Sequence, residues 1–412
     1  MRSRSLIPSY RVLDLSDPQG YLCGNVLANL GADVVKIEPP QGDPGRNIGP
    51  FYQNIPHPER SLFWFSYNSG KRGITLNLET ETGKGLLRQL ARKADVVIDS
   101  FAPGYLASLG LDYPSLAEEN PRLVMVSITP FGQKGPYSEF KSCDLINLAL
   151  GGLLYICGDA DRPPVRITAE QSYLHGALQA ATAVMIALYY REQTGEGQYI
   201  DVSIQEAVLR STMVVQHFWD LEQVVQRREG DKTFRGNIAT RVVFRCKDGY
   251  VAWRIFTAQT GRRTKALVDW MVEENAAGEL SQVKWEEIDM ALVSPEEIDK
   301  WEERFSSFFL LHNKRELYRE AVNRGIMLYT VNTAEDILND PQLKSRGFWK
   351  HVEHPGFGVP LIYPGVPLKS TEVTFDIKCR APQIGEHNKD IYCGELGLLE
   401  EQLLALKQSN II

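Results

Sequence analysis

A polar segment that leads into an apolar stretch carries side chains suited to covalent or acid–base chemistry. Glu170, Tyr173 and His175 lie at its entry. The stretch that follows, residues 176–190, is rich in Ala, Leu and Ile, and a glycine stop stands beyond it at Gly195. This pattern predicts a buried helix whose start could hold a nucleophile or a base rigidly. The alternative is a core helix with an ordinary entry loop, in which His175 is a structural group.

A second group of suggestive residues follows the predicted strands of the N-terminal half. These residues are Asp17-Pro18-Gln19, Pro39-Pro40 and the segment 100–104. Ligands of open α/β sheets bind beyond the carboxyl ends of the strands, so these turns are candidates for a binding site. Neither GxGxxG nor GxxxxGK[ST] occurs there, and the sequence therefore predicts neither a dinucleotide fingerprint nor a P-loop.

Strands and helices alternate in this part of the chain. Residues 11–16 read as a strand, 20–30 as a helix and 33–38 as a second strand, which together make a βαβ unit. The alternation continues with a strand at 74–78, a helix at 80–93, and strands at 96–99 and 123–128. We therefore expect an α/β fold with a Rossmann-like, mostly parallel sheet.

The character of the sequence changes after residue 213. A predicted β-hairpin spans residues 241–255, and predicted helices follow at 264–274 and 295–311. We predict a large Rossmann-like domain that begins with residues 1–213 and a smaller α+β domain at 214–325. Residues 326–412 form a third segment, which resumes short strands and turns and ends in a helix.

Length, charge and cysteine pattern narrow the class of protein. The chain has 412 residues and a formal net charge of −7, which argues against a nucleic-acid-binding surface. Its apolar runs are shorter than the roughly 20 residues of a membrane-spanning helix, and the N-terminal residues lack a signal-peptide pattern. We expect a mature cytoplasmic protein without a membrane partner. The scattered cysteines, with no CxxC pair, indicate reduced thiols and predict no metal site.

The order of short phrases along the chain resembles the family III CoA-transferases. The matching phrases include RVLDLS, NLGADVVKIEPPQGDPGR, ADVVIDSFAPG, LVMVSITPFGQKGPY, REQTGEGQYIDVSIQEAVL and NDPQLKSRGFW. The resemblance implies that residues 326–412 return to complete the large domain. It also implies that two chains interlock as rings in a dimer.

Members of this family transfer coenzyme A between carboxylic acids. The resemblance implies a CoA thioester as substrate, with no permanently bound cofactor. In the family an Asp attacks the donor thioester, and the acyl group and then CoA are carried on that carboxylate. Alignment on the REQTGEGQ phrase places Tyr173 where the family has this Asp, and residues 162–200 contain no Asp.

Two interpretations of this departure remain open. Either Glu170 replaces the Asp as nucleophile in an active homodimer, or the chain has lost the nucleophile and pairs with a homologous Asp-bearing subunit. We favour the second, because the family includes a heteromeric enzyme with one subunit that lacks the Asp. The favoured substrates are then succinyl-CoA and an aromatic succinate such as benzylsuccinate. An acyl-CoA isomerase or racemase and an acyl-CoA-binding protein are further alternatives.

The resemblance also implies a set of CoA contacts. Ser108 stands where the formyl-CoA enzyme has an arginine, so another cation is expected to meet the phosphates. Arg235-Gly236-Asn237 is a candidate for the glycine-rich lid of relatives. The predicted CoA-binding residues are Gln19, Pro39, Arg46, Lys71, Arg72, Leu76 with the three residues that follow it up to Glu79, Ser100, Phe101, Ala102, Lys141, Cys143 and Asp144. Lys71 and Arg72 could instead form a solvated basic turn.

Overall fold

The structure is a computed structural model that describes residues 6–7, 10–235 and 238–412. Residues 236 and 237 of the predicted lid lie outside the described residues. The chain divides into two compact units. The first unit runs through Leu154 and also contains Ile167–Glu222 and Pro341–Ile412, whereas the second contains Tyr155–Arg166 and Gln223–Asp340.

A six-stranded parallel sheet forms the centre of the first unit. Its strands are β1 Arg11–Asp14, β2 Asp33–Glu38, β3 Arg72–Thr75, β4 Val96–Asp99, β5 Val124–Thr129 and β6 Gln198–Ser203. The strand order is β3-β2-β1-β4-β5-β6, so the direction of winding reverses between β1 and β4. That reversal opens a crevice at the carboxyl ends of these two strands, where α/β proteins bind ligands.

Helices cover both faces of this sheet. The helices of this part of the chain are α1 Tyr21–Leu30, α2 Leu62–Asn68, α3 Glu81–Ala91, α4 Tyr105–Ser108, α5 Tyr113–Glu119, α6 Asp144–Leu150, α7 Gln171–Thr194, α8 Ile204–Arg210 and α9 Met213–Glu222. Gly31 ends α1 and Gly195 ends α7, with φ angles of 112° and 81° that favour glycine. The predicted buried helix is thus the middle of the longer α7.

The two faces of the sheet have separate apolar cores. On one face, α1 and α7 pack with Val126 and Ile128 of β5. On the other face, Val97 and Met125 pack against Leu86 and Leu90 of α3. Alternate residues of each strand therefore supply the two cores, as expected for a sheet that is covered on both sides.

The second unit has its own sheet and its own aromatic core. Its described elements are β7 Lys232–Arg235, β8 Ile238–Arg241, β9 Val243–Cys246, β10 Gly249–Ala252, α10 Arg262–Glu273, α11 Pro295–Phe309, α12 Lys314–Arg324, β11 Tyr329–Thr330 and α13 Ala334–Asn339. Trp253, Trp285, Trp301 and Phe305 are buried together in this core. The predicted hairpin is formed by β9 and β10, which pair antiparallel.

The last part of the chain belongs to the first unit. It contributes α14 Pro341–Ser345, β12 Trp349–Val352, β13 Leu361–Pro364 and α15 Glu400–Gln408. The predicted α/β class with a parallel sheet is confirmed. The predicted domain ranges stay predictions. The interlocked dimer also stays a prediction, because the structure contains a single chain. In the described part of the chain, no helix is long and apolar enough to cross a membrane.

Candidate functional site

A cleft of about 340 Å³ lies beyond the carboxyl ends of β1 to β4. It brings together seven of the predicted CoA contacts, which are Pro39, Leu76, Asn77, Leu78, Glu79, Ser100 and Phe101. The other lining residues are Leu15, Asp17, Ile37, Glu38, Asp43, Pro44 and Tyr105. The cleft stands where the reversal of strand order predicts a ligand site.

Asp17 organises the turn that joins β1 to α1. Its backbone N donates to Ser100 Oγ at 2.7 Å, and Ser100 Oγ donates to Asp17 Oδ1 at 2.8 Å. Gln19 donates to the same carboxylate from its backbone N and from Nε2, at 2.9 and 3.1 Å. Gln19 therefore supports Asp17 within the turn and is not among the cleft-lining residues.

Arg46 does not offer its charge to a ligand. Its guanidinium is buried, binds both carboxylate oxygens of Glu38 at 2.7 Å, and reaches Glu59 at 3.2 Å. It also donates to the carbonyl of Pro382 and lies over the ring of Trp64. These contacts join distant parts of the first unit, and they argue against the predicted phosphate role.

Lys71 is also committed to contacts within the chain. Its ammonium group is fully buried and donates to Asp14 Oδ2 at 2.7 Å, Asn68 Oδ1 at 2.8 Å and the carbonyl of Tyr21 at 3.0 Å. All three donors of the ammonium group are used. This arrangement corrects the interpretation of Lys71 as part of a solvated turn, and it leaves no donor for a phosphate.

Arg72 lies at the opposite edge of the sheet from the cleft. It is the first residue of β3, and it binds Asp33 at 2.7 Å and Glu395 at 2.7 Å. Because parallel strands run in one direction, the start of β3 points away from the carboxyl ends of β1 and β4. The structure therefore separates Arg72 from the other predicted CoA contacts.

The start of α7 is joined to the start of α6 by a carboxylate. Asp144 Oδ1 accepts from Ser172 N at 2.9 Å and from Ser172 Oγ at 2.8 Å. Asp144 is the first residue of α6 and is buried, whereas Lys141 and Cys143, in the loop before it, are exposed. Asp144 therefore fixes the start of α7, where the resemblance places the family nucleophile. Lys141 and Cys143 make no such contact in the described hydrogen bonds.

Tyr173 and Glu170 line one narrow crevice at the start of α7. Tyr67, Phe63 and Pro18 also line it, and its volume is about 10 Å³. That space is about the size of one water molecule. Burial raises the pKa of the Tyr173 phenol, and the nearby Glu170 carboxylate raises it further. Tyr173 therefore stays protonated at neutral pH and is a poor nucleophile.

Ala102 lines a separate cleft of about 370 Å³ on the other side of Phe101. At its base Ser127 Oγ donates to Asp99 Oδ2 at 2.5 Å. Burial raises the pKa of Asp99 to about 7. Burial also raises the pKa of Tyr199, another residue of this cleft, to about 12. Sequence reasoning missed this group, because its members come from three different strands.

Among the described residues, no group of three or more His, Cys, Asp or Glu side chains is placed to hold a metal ion.

A Rossmann-type sheet with a candidate site at its carboxyl edge defines a broad class of α/β proteins. Within that class, this chain belongs to CoA-transferase family III, whose model matches residues 9–388. The family assignment made from the sequence is thereby confirmed. A CoA-transferase of this family uses a CoA thioester as a substrate, which agrees with the sequence prediction.

Similar proteins of known activity cover nearly the whole chain. A succinyl-CoA:(R)-benzylsuccinate CoA-transferase subunit, BbsE, of Thauera aromatica is 34% identical over 390 residues, which cover 93% of each chain. A formyl-CoA:oxalate CoA-transferase of Streptomyces avermitilis is 31% identical over 425 residues and covers 98% of each chain. A succinyl-CoA–D-citramalate CoA-transferase of Chloroflexus aurantiacus is 29% identical over 404 residues, covering 98% of this chain and 97% of its own.

Solved structures share the fold. A CAIB/BAIF family protein from Brucella suis superposes with a TM-score of 0.81 at 25% identity, covering 95% of this chain and 99% of its own. The protein Rv3272 of Mycobacterium tuberculosis superposes with a TM-score of 0.73 at 23% identity, covering 94% of this chain and 99% of its own.

Proposed function

We propose that this chain is the non-nucleophilic subunit of a heteromeric CoA-transferase. A homologous subunit supplies the Asp that carries the acyl group and then CoA. The reaction transfers CoA from succinyl-CoA to a dicarboxylic acid, for which an aromatic succinate such as benzylsuccinate is the favoured acceptor.

The observation that carries this proposal is the state of Tyr173. The family alignment puts a phenol, Tyr173, at the position of the Asp nucleophile, and Tyr173 lines a crevice of about 10 Å³. The raised pKa of Tyr173 removes its nucleophilic form at neutral pH, and the crevice is too small for an acyl-CoA sulfur and carbonyl. The chain thus keeps the fold of the family around residue 173 but has a phenol there in place of the nucleophilic carboxylate.

The similarity to the Thauera aromatica subunit supports both the subunit role and the acid. That relative is named as a subunit of an enzyme that acts on succinyl-CoA and (R)-benzylsuccinate. The other relatives named above share succinyl-CoA or formyl-CoA chemistry at lower identity. The choice of benzylsuccinate rests on this similarity alone.

Exposed apolar surface supports the need for a partner chain. On α7, Leu178, Ile186 and Tyr189 are spaced along one helical face and are 48%, 64% and 71% exposed. No residue of α9 is buried, although that helix carries Trp219 and Leu221, which are 53% and 77% exposed. Apolar helix faces of this extent are typical of surfaces that a second subunit covers.

The test is an activity measurement on the chain alone and with its partner. The chain is purified alone and after co-expression with an Asp-bearing homologue, and product CoA thioesters from succinyl-CoA and benzylsuccinate are quantified by chromatography. We expect turnover only from the co-expressed pair, and none when the Asp of the homologue is replaced by Asn. Turnover by the isolated chain would contradict the proposal.

A second candidate function is an active homodimer that uses Glu170. The position of Glu170 beside Tyr173 in the same crevice favours it over other carboxylates of this chain. Glu170→Gln distinguishes the two functions, with Glu118→Gln at an exposed position of α5 as the control. If Glu170→Gln is inactive while Glu118→Gln keeps its activity, Glu170 is the nucleophile and the homodimer is supported. If both variants are equally active in the co-expressed pair, the subunit role is supported.

A further inference from the structure

The cleft beyond β1 to β4 has an unusual charge balance for a site that would hold CoA. Its charged lining residues are Asp17, Glu38, Asp43 and Glu79, and no Lys or Arg is among the described residues that line it. The nucleotide end of CoA carries a diphosphate and a 3′-phosphate, which proteins bind with cations or backbone N–H groups. A lining that is acidic and lacks cations opposes such a ligand.

Two of these carboxylates are neutralised from behind the cleft. Glu38 forms a two-bond ion pair with Arg46 at 2.7 Å. Asp43 pairs with the buried ammonium of Lys36 at 3.1 Å and accepts a hydrogen bond from Tyr21. Arg46 and Lys36 thus balance Glu38 and Asp43, which leaves Asp17 and Glu79 as the lining carboxylates that no cation pairs with among the described residues.

Glu79 is an exposed residue of the cleft lining, and neighbouring residues hold it in place. Tyr105 Oη donates to Glu79 Oε1 at 2.5 Å, and the Asn77 side chain accepts from the backbone N of Glu79 at 3.0 Å. In the part of the chain that the structure describes, no Lys, Arg or His lies within ion-pair distance of Glu79 or Asp17. The phenol holds the carboxylate in place without cancelling its charge.

The neighbouring helix brings no compensating cation. By the family resemblance, Ser108 stands where the formyl-CoA enzyme has an arginine. Its Oγ donates to the carbonyl of Tyr105 at 2.7 Å. A hydroxyl group used in this way has no charge to offer a phosphate.

We propose that Glu79, positioned by Tyr105, excludes the phosphate groups of CoA from this cleft. An assembly of this chain with its homologous partner then loads one CoA per pair of subunits, in the partner. The inference rests on the proposed subunit role, and it assigns Glu79 as the residue that determines which subunit is loaded. Repulsion between the fixed carboxylates of the cleft and the incoming phosphate groups is the physical cause.

The experiment measures CoA binding by titration calorimetry to the isolated chain and to the co-expressed pair. We compare the wild type with Glu79→Lys, and use Glu81→Lys as the matched control. Glu81 is an exposed residue of the same segment that is outside the cleft lining, and its replacement changes the net charge by the same amount. Pantetheine, which lacks the phosphates, is titrated in parallel.

We expect the co-expressed pair to bind one CoA per pair of subunits. In the isolated chain, we expect Glu79→Lys to bind CoA at least about tenfold more tightly than Glu81→Lys does. Pantetheine binding is expected to be equal in the two variants. Two CoA molecules per pair, or equal CoA affinity of the two variants, would overturn the inference. The affinity comparison needs neither a partner nor turnover, so its outcome is distinct from that of the activity test.

Discussion

The carboxylate of Asp144 accepts two hydrogen bonds from Ser172, the residue directly before Tyr173. One comes from the backbone N at 2.9 Å and one from the side-chain Oγ at 2.8 Å. The carboxylate thus caps the first turn of α7 from a different helix. This contact fixes the start of α7, and with it the backbone of residue 173, without using the side chain of Tyr173.

Replacement of Asp144 by Asn tests this cap. The amide retains one acceptor but loses the charge that favours a helix N-terminus, so we expect the free energy of unfolding to fall by about 1 kcal/mol. Urea denaturation followed by circular dichroism measures it, with Asp390→Asn at an exposed position as the control. An equal effect of the two substitutions would show that the Asp144 contact adds no stability.

The buried ion pair of Lys71 and Asp14 makes a stronger prediction. Lys71→Met leaves the Asp14 carboxylate buried without its nearest cation, and we expect a loss of about 3 to 5 kcal/mol. Lys84→Met removes an ion pair with the exposed Glu81 and is expected to cost less than about 1 kcal/mol. Denaturant titrations compare the two variants, and similar losses would refute the structural role of Lys71.

These charged residues show where sequence reasoning stops. Apolar alternation was sufficient to predict β1, α1 and β2, because each is specified by neighbours within a few residues. The burial of Lys71 depends on Asp14, 57 residues away, and Arg72 is bound by Glu395, 323 residues away. Such pairings join residues that are far apart in the sequence. The dipeptide Lys71-Arg72 alone therefore could not show that its two cations bind at opposite edges of the sheet.

The candidate site was predictable to a similar degree. Strand ends indicated Pro39, Ser100 and Phe101, and the family resemblance added Leu76. The structure brings all four into one cleft. Tyr105 was missed, because its contact with Glu79 joins the start of α4 to the loop after β3. The strand-end rule locates a cleft, but it does not give the charge that a ligand meets there.

The buried Asp99 predicts a pH dependence of stability. Burial raises its pKa from 3.8 to about 7, so between these values the folded chain binds a proton that the unfolded chain releases. The contribution of Asp99 to stability therefore falls as pH rises from about 4 to about 7 and is constant above that. Relative to the wild type, Asp99→Asn should gain about 3 kcal/mol between pH 5 and pH 8.

Urea denaturation at the two pH values measures this gain. Asp390→Asn, which replaces an exposed aspartate, is the matched control. A stability difference between Asp99→Asn and the wild type that is the same at pH 5 and pH 8 would contradict the assignment.

The apolar face of α7 gives a prediction about assembly. Ile186→Glu places a charge on this face, where Ile186 is 64% exposed in the single chain. We expect the co-expressed pair to dissociate during size-exclusion chromatography, because a buried unpaired carboxylate is costly at an interface. Lys247→Glu, at an exposed turn of the second unit, serves as the control. An intact Ile186→Glu pair would show that this face is not covered by the partner.

The covalent intermediate provides the most direct test of the subunit role. The co-expressed pair is incubated with succinyl-CoA, treated with hydroxylamine or borohydride to trap the acyl-enzyme, and digested for peptide mass spectrometry. We expect a modified Asp in the partner subunit and unmodified peptides from this chain, including the one with Glu170 and Tyr173. A trapped adduct on Glu170 would contradict it.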